Sequence, residues 1–168
     1  MIYTLIAGVD EVGRGCLSGP VVAAAVILPD GFTDPRIKDS KTIKSAKKRE
    51  EIARVIKENA ISWGIGASSP QEIDQINILQ ATFLAMRRAI DACSEKPDFL
   101  YIDGDKFPGY KDVPYECVIK GDSKILQISA ASILAKVHRD QLMQSLDSEF
   151  PKYLWSRNVG YGTADHIS

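Results

Sequence analysis

The stretch IYTLIAGVDEVGRGCLSGPVVAAAVIL, residues 2–28, decides the fold class of this chain. Residues 2–9 are apolar and rich in β-formers, and residues 21–28 form a continuous apolar run of strand length. Gly13-Arg14-Gly15 and Gly19-Pro20 punctuate the interval. The two runs therefore read as a hairpin with an elaborated turn. A pair of acids, Asp10 and Glu11, closes the first strand.

Outward from this hairpin the periodicity changes. Residues 30–44 carry Pro, Gly, Asp and Lys and read as loop, and Ile52, Val55 and Ile56 recur at the spacing of a helix over 45–59. Residues 61–68 read as a third strand, weakened by Gly64 and Gly66. Ser69-Pro70 opens a helical stretch, since Pro is accepted in a first turn. Leu79, Phe83, Met86 and Ile90 then line one face of the next helix. Residues 99–103 and 113–119 are short strand candidates, and a long helix over 128–150 buries Ala130, Leu134 and Val137. Adjacent early strands followed by helix-linked strands predict one α/β domain over residues 1–168, a mixed central β-sheet flanked by helices.

Composition narrows the class. The chain has 168 residues, 45% hydrophobic and 26% charged, which suits one globular domain and not a disordered segment. Lys plus Arg is 21 against 22 Asp plus Glu, so the protein is not strongly basic. Local charge is another matter: residues 36–49 hold seven Lys or Arg and one acid, Asp39. Three scattered cysteines without a Cys-x-x-Cys pair argue against a disulfide framework or a cysteine zinc site, and fit a reducing, cytoplasmic setting. No apolar run approaches the roughly 18 residues of a spanning helix. The first residues do not read as a signal peptide, because no Lys or Arg precedes their apolar stretch. Only His138 and His166 are present, so the chemistry is expected to rest on carboxylates.

Those carboxylates fall where apolar runs stop. Asp10 and Glu11 follow the first run, Asp103 follows 99–102, and Asp122 closes Val118-Ile119-Lys120-Gly121. Open α/β sheets bind ligands at such strand ends. Four oxygen-donor side chains suit two hard divalent cations, Mg2+ or Mn2+, and paired cations serve phosphoryl transfer. A single acid at a strand end is more often a solvated turn residue; the company of the others raises the odds. On the last helix Ser132, Lys136 and Arg139 are spaced to share one face, opposite the apolar stripe. With the basic segment 36–49 they point to a polyanionic partner, against the plain alternative of a solvated charged face.

Ala7-Gly8-Val9-Asp10-Glu11-Val12-Gly13-Arg14-Gly15 resembles the signature of ribonuclease HII, the bacterial type 2 ribonuclease H. Asp39-Ser40-Lys41, Ile102-Asp103-Gly104, Lys120-Gly121-Asp122-Ser123, residues 128–137 and Gly160-Tyr161-Gly162-Thr163 follow in that family's order. The resemblance spans nearly the whole chain. It implies a ribonuclease H-like fold and cleavage of RNA in RNA–DNA hybrids and at ribonucleotides embedded in duplex DNA, leaving 3′-hydroxyl and 5′-phosphate ends. It implies further that Asp10, Glu11, Asp103 and Asp122 bind the two metal ions. Gly13, Arg14 and Gly15 would read the ribose 2′-hydroxyl, and Tyr161 would pack on the sugar at the RNA–DNA junction. Lys41, Ser132, Lys136 and Arg139 would contact the nucleic acid, with the protein acting as a monomer and needing no membrane.

Three features depart from the family pattern. Cys16 stands where proline is common, Asp105 adds an acid two residues after Asp103, and the chain stops soon after the tyrosine motif, without the usual C-terminal helical extension. Two other readings stay open from sequence: a ribonuclease HIII-type nuclease with the same acids, or a nucleic-acid-binding module weakened in catalysis.

Overall fold

Val21–Ile27 (β2) is buried along its whole length. The fold is organised around it in this computed structural model, which describes residues 3–14 and 19–149. Ile6–Val12 (β1) pairs antiparallel with β2, placing Ala7 opposite Ile27 and Val12 opposite Val22. Ser62–Ser68 (β3) pairs antiparallel with the other edge of β2. Phe99–Asp103 (β4) runs parallel to β1, and Tyr115–Val118 (β5) runs parallel to β4. The order is β3-β2-β1-β4-β5, the mixed sheet that the sequence predicts.

Among the described residues four α-helices accompany it: Pro35–Lys38 (α1), Ala46–Asn59 (α2), Pro70–Ala92 (α3) and Leu126–Glu149 (α4). Val21, Ala23, Ala25 and Ile27 share one core with Phe83, Met86, Ala89 and Ile90 of α3. Val22, Ala24 and Val26 share the other with Ile52 and Ile56 of α2 and Ile133 and Leu134 of α4. Burial on both faces is why β2 reads as an unbroken apolar run. A Cβ on Gly64 would stand 2.2 Å from the Ala89 carbonyl oxygen, and one on Gly66 2.3 Å from that of Ala85. The glycines that weaken β3 as a strand let α3 lie directly on it.

The boundaries differ from the sequence reading where side chains take over backbone groups. β1 begins at Ile6, not residue 2, and the Asp98 carboxylate accepts the N–H groups of Thr4 and Leu5 before it. The expected 30–44 loop contains α1, capped by Asp34 and burying Ile37, and a 3-10 turn over Ser40–Thr42. Ser69 and Glu72 form a capping box at the start of α3. Asn77 then breaks the helix at φ 73°, and its side chain accepts the Gln80 N–H to restart it. Among the described residues no helix is long and apolar enough to cross a membrane.

Candidate active site

The sequence leads one to expect Asp10 and Glu11 at the end of β1, but the strand continues to Val12 and pairs them with Ala24 and Ala23. Both acids are therefore held by the ladder, and Asp10 is only 4% exposed. Gly8 lies two residues earlier on the same face of the strand. A Cβ there would come within 2.2 Å of the Gln127 backbone, so the first turn of α4 sits directly on β1. On the other side β4 places Ile102 opposite Val9, which carries Asp103 alongside Asp10.

The result is a group of three carboxylates, Asp10, Glu11 and Asp103, with one oxygen from each within 4.8 Å of the others. Asp10 Oδ1 accepts the Glu11 N–H at 2.8 Å, and Asp103 Oδ1 accepts the Gly121 N–H at 2.6 Å. Burial, then the charges of Glu11 and Asp103 and a hydrogen bond with Asp103, push the Asp10 carboxyl well above the usual carboxylate range. Burial also raises Glu11, although the hydrogen bond with Asp10 and the nearby Arg14 charge oppose it. Glu11 Oε2 is buried without a hydrogen-bond partner. Two like charges 4 Å apart cost about 4 kcal/mol at an effective dielectric of 20. An orphaned carboxylate oxygen beside two further acids suits a hard divalent cation, which takes oxygen ligands and neutralises that repulsion.

Asp122 does not join this group. It sits in a 3-10 turn, Gly121–Ser123, one residue from the N–H that orients Asp103. There it lines a cleft of about 260 Å³ with Phe32, Lys38, Lys124 and Ser129. Asp105 is exposed and stands outside the group, where its charge helps raise the Cys117 thiol after burial has done so. Gly13 adopts φ +96°, the left-handed region that favours glycine. Arg14 next to it is exposed. Gly15, Tyr161 and the Lys41 side chain lie outside what the structure describes.

The expected solvent face on α4 needs correction. Lys136 is exposed, but Ser132 and Arg139 are 6% and 3% exposed. The spacing does place the three on one side of the helix; however, α4 is wedged against β1, β2 and α2, so most of its surface is covered. The basic segment is also partly committed. Arg36 pairs with Asp34 at 2.8 Å, and Arg49 reaches Asp140 at 3.8 Å and the Ile43 carbonyl at 3.2 Å. Lys38, Lys44, Lys47 and Lys48 remain exposed. Ser40 Oγ lies 2.8 Å from Ser129 Oγ, tying this segment to α4. Sequence reasoning missed the Gly121 N–H that holds Asp103. Its one signal was a Lys-Gly pair after a strand, and Lys120 does turn left-handed there, at φ 56°.

This sheet order and this carboxylate group define a ribonuclease H-like protein, a metal-dependent ribonuclease H by class. Residues 7–168 match the family model of ribonuclease HII. The chain belongs to the ribonuclease HII family, which decides between types HII and HIII. The ribonuclease HII of Bacteroides thetaiotaomicron is 52% identical over 160 residues, covering 95% of this chain and 80% of that one. That of Neisseria meningitidis serogroup C is 50% identical over 166 residues, covering 99% and 85%. The crystal structure of ribonuclease H2 from Pyrococcus horikoshii superposes with a TM-score of 0.78 at 27% identity, covering 95% of this chain and 81% of that one.

Proposed function

We propose that the chain hydrolyses the RNA strand of RNA–DNA hybrids and cuts duplex DNA on the 5′ side of an embedded ribonucleotide, leaving 3′-hydroxyl and 5′-phosphate ends. The observation that carries this reading is the Asp10–Glu11–Asp103 group, with Asp10 buried and a Glu11 oxygen unpaired, two residues before the Gly13 turn. Asp10, Glu11 and Asp103, with Asp122 as a fourth ligand, would hold a pair of Mg2+ or Mn2+ ions. When bound, such a pair supplies charge stabilisation at the attacking and leaving oxygens of a phosphodiester.

The chain's own residues do the rest. The β1–β4 pairing and the Gly121 N–H fix the carboxylates before substrate arrives. Gly13-Arg14-Gly15 brings bare backbone close to a ribose, whose 2′-hydroxyl is what tells RNA from DNA. Tyr161 packs on the sugar at the junction, while Lys41, Lys136 and the exposed lysines of 36–49 neutralise phosphates without reading sequence. The protein acts as a cytoplasmic monomer. The test is a cleavage assay on duplex DNA containing one ribonucleotide, with and without EDTA. A cut 5′ to the ribonucleotide that EDTA abolishes is the expected result; binding without cleavage at saturating Mg2+ would leave a binding module instead.

A further inference from the structure

Arg139 is 3% exposed, and a guanidinium is seldom buried unless its donors are used. Its Nε donates to the Pro20 carbonyl oxygen at 2.9 Å. From the other end of the same turn, an ideal Cβ on Gly13 would fall 2.4 Å from that Nε and 2.7 Å from the Pro20 oxygen. A Cβ on Gly19 would fall 3.0 Å from Arg139 Nη2 and 3.0 Å from Met143 Sδ. Residue 13, just after β1, and residues 19–20, just before β2, thus close on one side chain of α4.

We infer that Arg139 is a positioning residue: its buried guanidinium clamps both ends of the β1–β2 turn and so fixes where the Gly13-Arg14 backbone stands relative to Asp10 and Glu11. The inference rests on the proposed role of that turn in reading the ribonucleotide, and it adds what holds the turn in place. The helix that carries Arg139 also begins on β1, with Gln127 against Gly8. One helix therefore touches β1 before the acids, at Gly8, and the turn just after them, at Gly13. The planar fork of arginine presents several donors at fixed angles, which a lysine ammonium on a flexible stem cannot reproduce. Gly13 is doubly required, by its φ of +96° and by the lack of room for a Cβ above the Arg139–Pro20 bond.

The test compares Arg139→Lys and Arg139→Met with wild type on duplex DNA carrying one ribonucleotide and on a continuous RNA–DNA hybrid. A loose turn misplaces the substrate by a fraction of the reading distance, and misplacement near 1 Å costs about a hundredfold in rate. Both variants should lose kcat by about that factor on the single ribonucleotide, with KM little changed. The loss should be smaller on the continuous hybrid, where many 2′-hydroxyls offer themselves. The rise in Tm on adding Mn2+ should persist, because the carboxylates stay in place. Equal losses on both substrates, or wild-type kcat in folded Arg139→Lys, would overturn the inference. Should both variants fail to fold, Gly19→Ala presses on the same guanidinium from the turn side. The same selective loss is expected from it, and an even loss overturns the inference. Wild-type enzyme cutting both substrates in parallel keeps the proposed function apart from this outcome; wild type that cuts neither overturns both.

Discussion

Two clusters in this molecule hold carboxylates, one with an arginine beside it and one with further carboxylates, and they end in opposite states. At the start of α3, Glu72 completes a capping box with Ser69 and meets Arg88 through two bonds of 2.7 and 2.8 Å. Arg88 also donates to the Ala67 carbonyl, and the hydrogen bond from Arg88 draws the Glu72 carboxyl down to about 2. At the heart of the sheet, Asp10, Glu11 and Asp103 crowd three carboxylates together, leave one oxygen unpaired and push Asp10 upward. The first cluster has its charges satisfied from within and serves the fold. The second holds negative charge that no cation within the cluster offsets, and perturbed groups of that kind cluster at functional sites.

The largest break in this contrast comes from removing one charge from the second cluster. Asp10→Asn or Asp103→Asn should keep the fold, since each swap is isosteric, yet lower kcat by at least about 10²–10³, the scale of losing one preorganised charge-stabilising group. The effect belongs in kcat because the acids act on the transition state more than on the bound duplex. Wild-type turnover of either purified mutant under saturating Mg2+ would refute the assignment. Adding the missing charge should show the reverse. Metal at 100 times its dissociation constant adds about 2.7 kcal/mol, a rise of about 5–10 °C in Tm for a domain of this size. Differential scanning calorimetry with Mn2+ checks this; no shift in the folded wild type, or an undiminished shift in Asp10→Asn, would count against a preformed site.

A smaller effect tests the exposed cations that belong to neither cluster. Lys136 is the exposed member of its trio on α4. Lys136→Ala should weaken binding to all duplexes about equally and reduce the slope of log K against log salt by about 1. Affinity measured at several salt concentrations decides it: an unchanged slope would make Lys136 a solvated surface residue.

How much of this was legible in the sequence depended on whether a residue's role is local. The strands, the helix over 46–59 and the acids at 10, 11 and 103 follow from apolar runs and from what interrupts them. β2 was readable because burial on both faces leaves no polar residue in it. The sheet order was not, since it depends on which edge of β1 receives β4, a choice that short-range pattern does not encode. Arg139 shows the same limit at a single residue. Its spacing from Ser132 and Lys136 is correct, but whether a helix face meets water or another element is a tertiary fact, and α4 meets β1, β2 and α2. Gly64 and Gly66 looked like defects in β3 because what requires them is the far half of α3, at Ala85 and Ala89, which sequence neighbours do not reveal.

The last and smallest effect sets the two clusters against each other by pH. Glu72 binds its proton more weakly folded than unfolded, so its contribution is fully present above the ordinary carboxylate pKa and is lost as pH falls from there toward about 2. Asp10 is shifted the other way. In EDTA its neutral form is favoured by the fold, so that contribution is present at acid pH and is lost as pH rises through its raised value. A metal-free protein should therefore gain stability over one limb and lose it over another, and one substitution should flatten each. Glu72→Gln should remove the acid-side gain, a small change because its partner Arg88 is exposed and surface pairs contribute little. Asp10→Asn should remove the loss at higher pH and leave the acid limb alone. The measurement is Tm against pH in EDTA for wild type and both variants. If Asp10→Asn followed the wild-type profile at every pH, the acids would not be straining the metal-free fold, and the contrast between a satisfied cluster and a waiting one would fail.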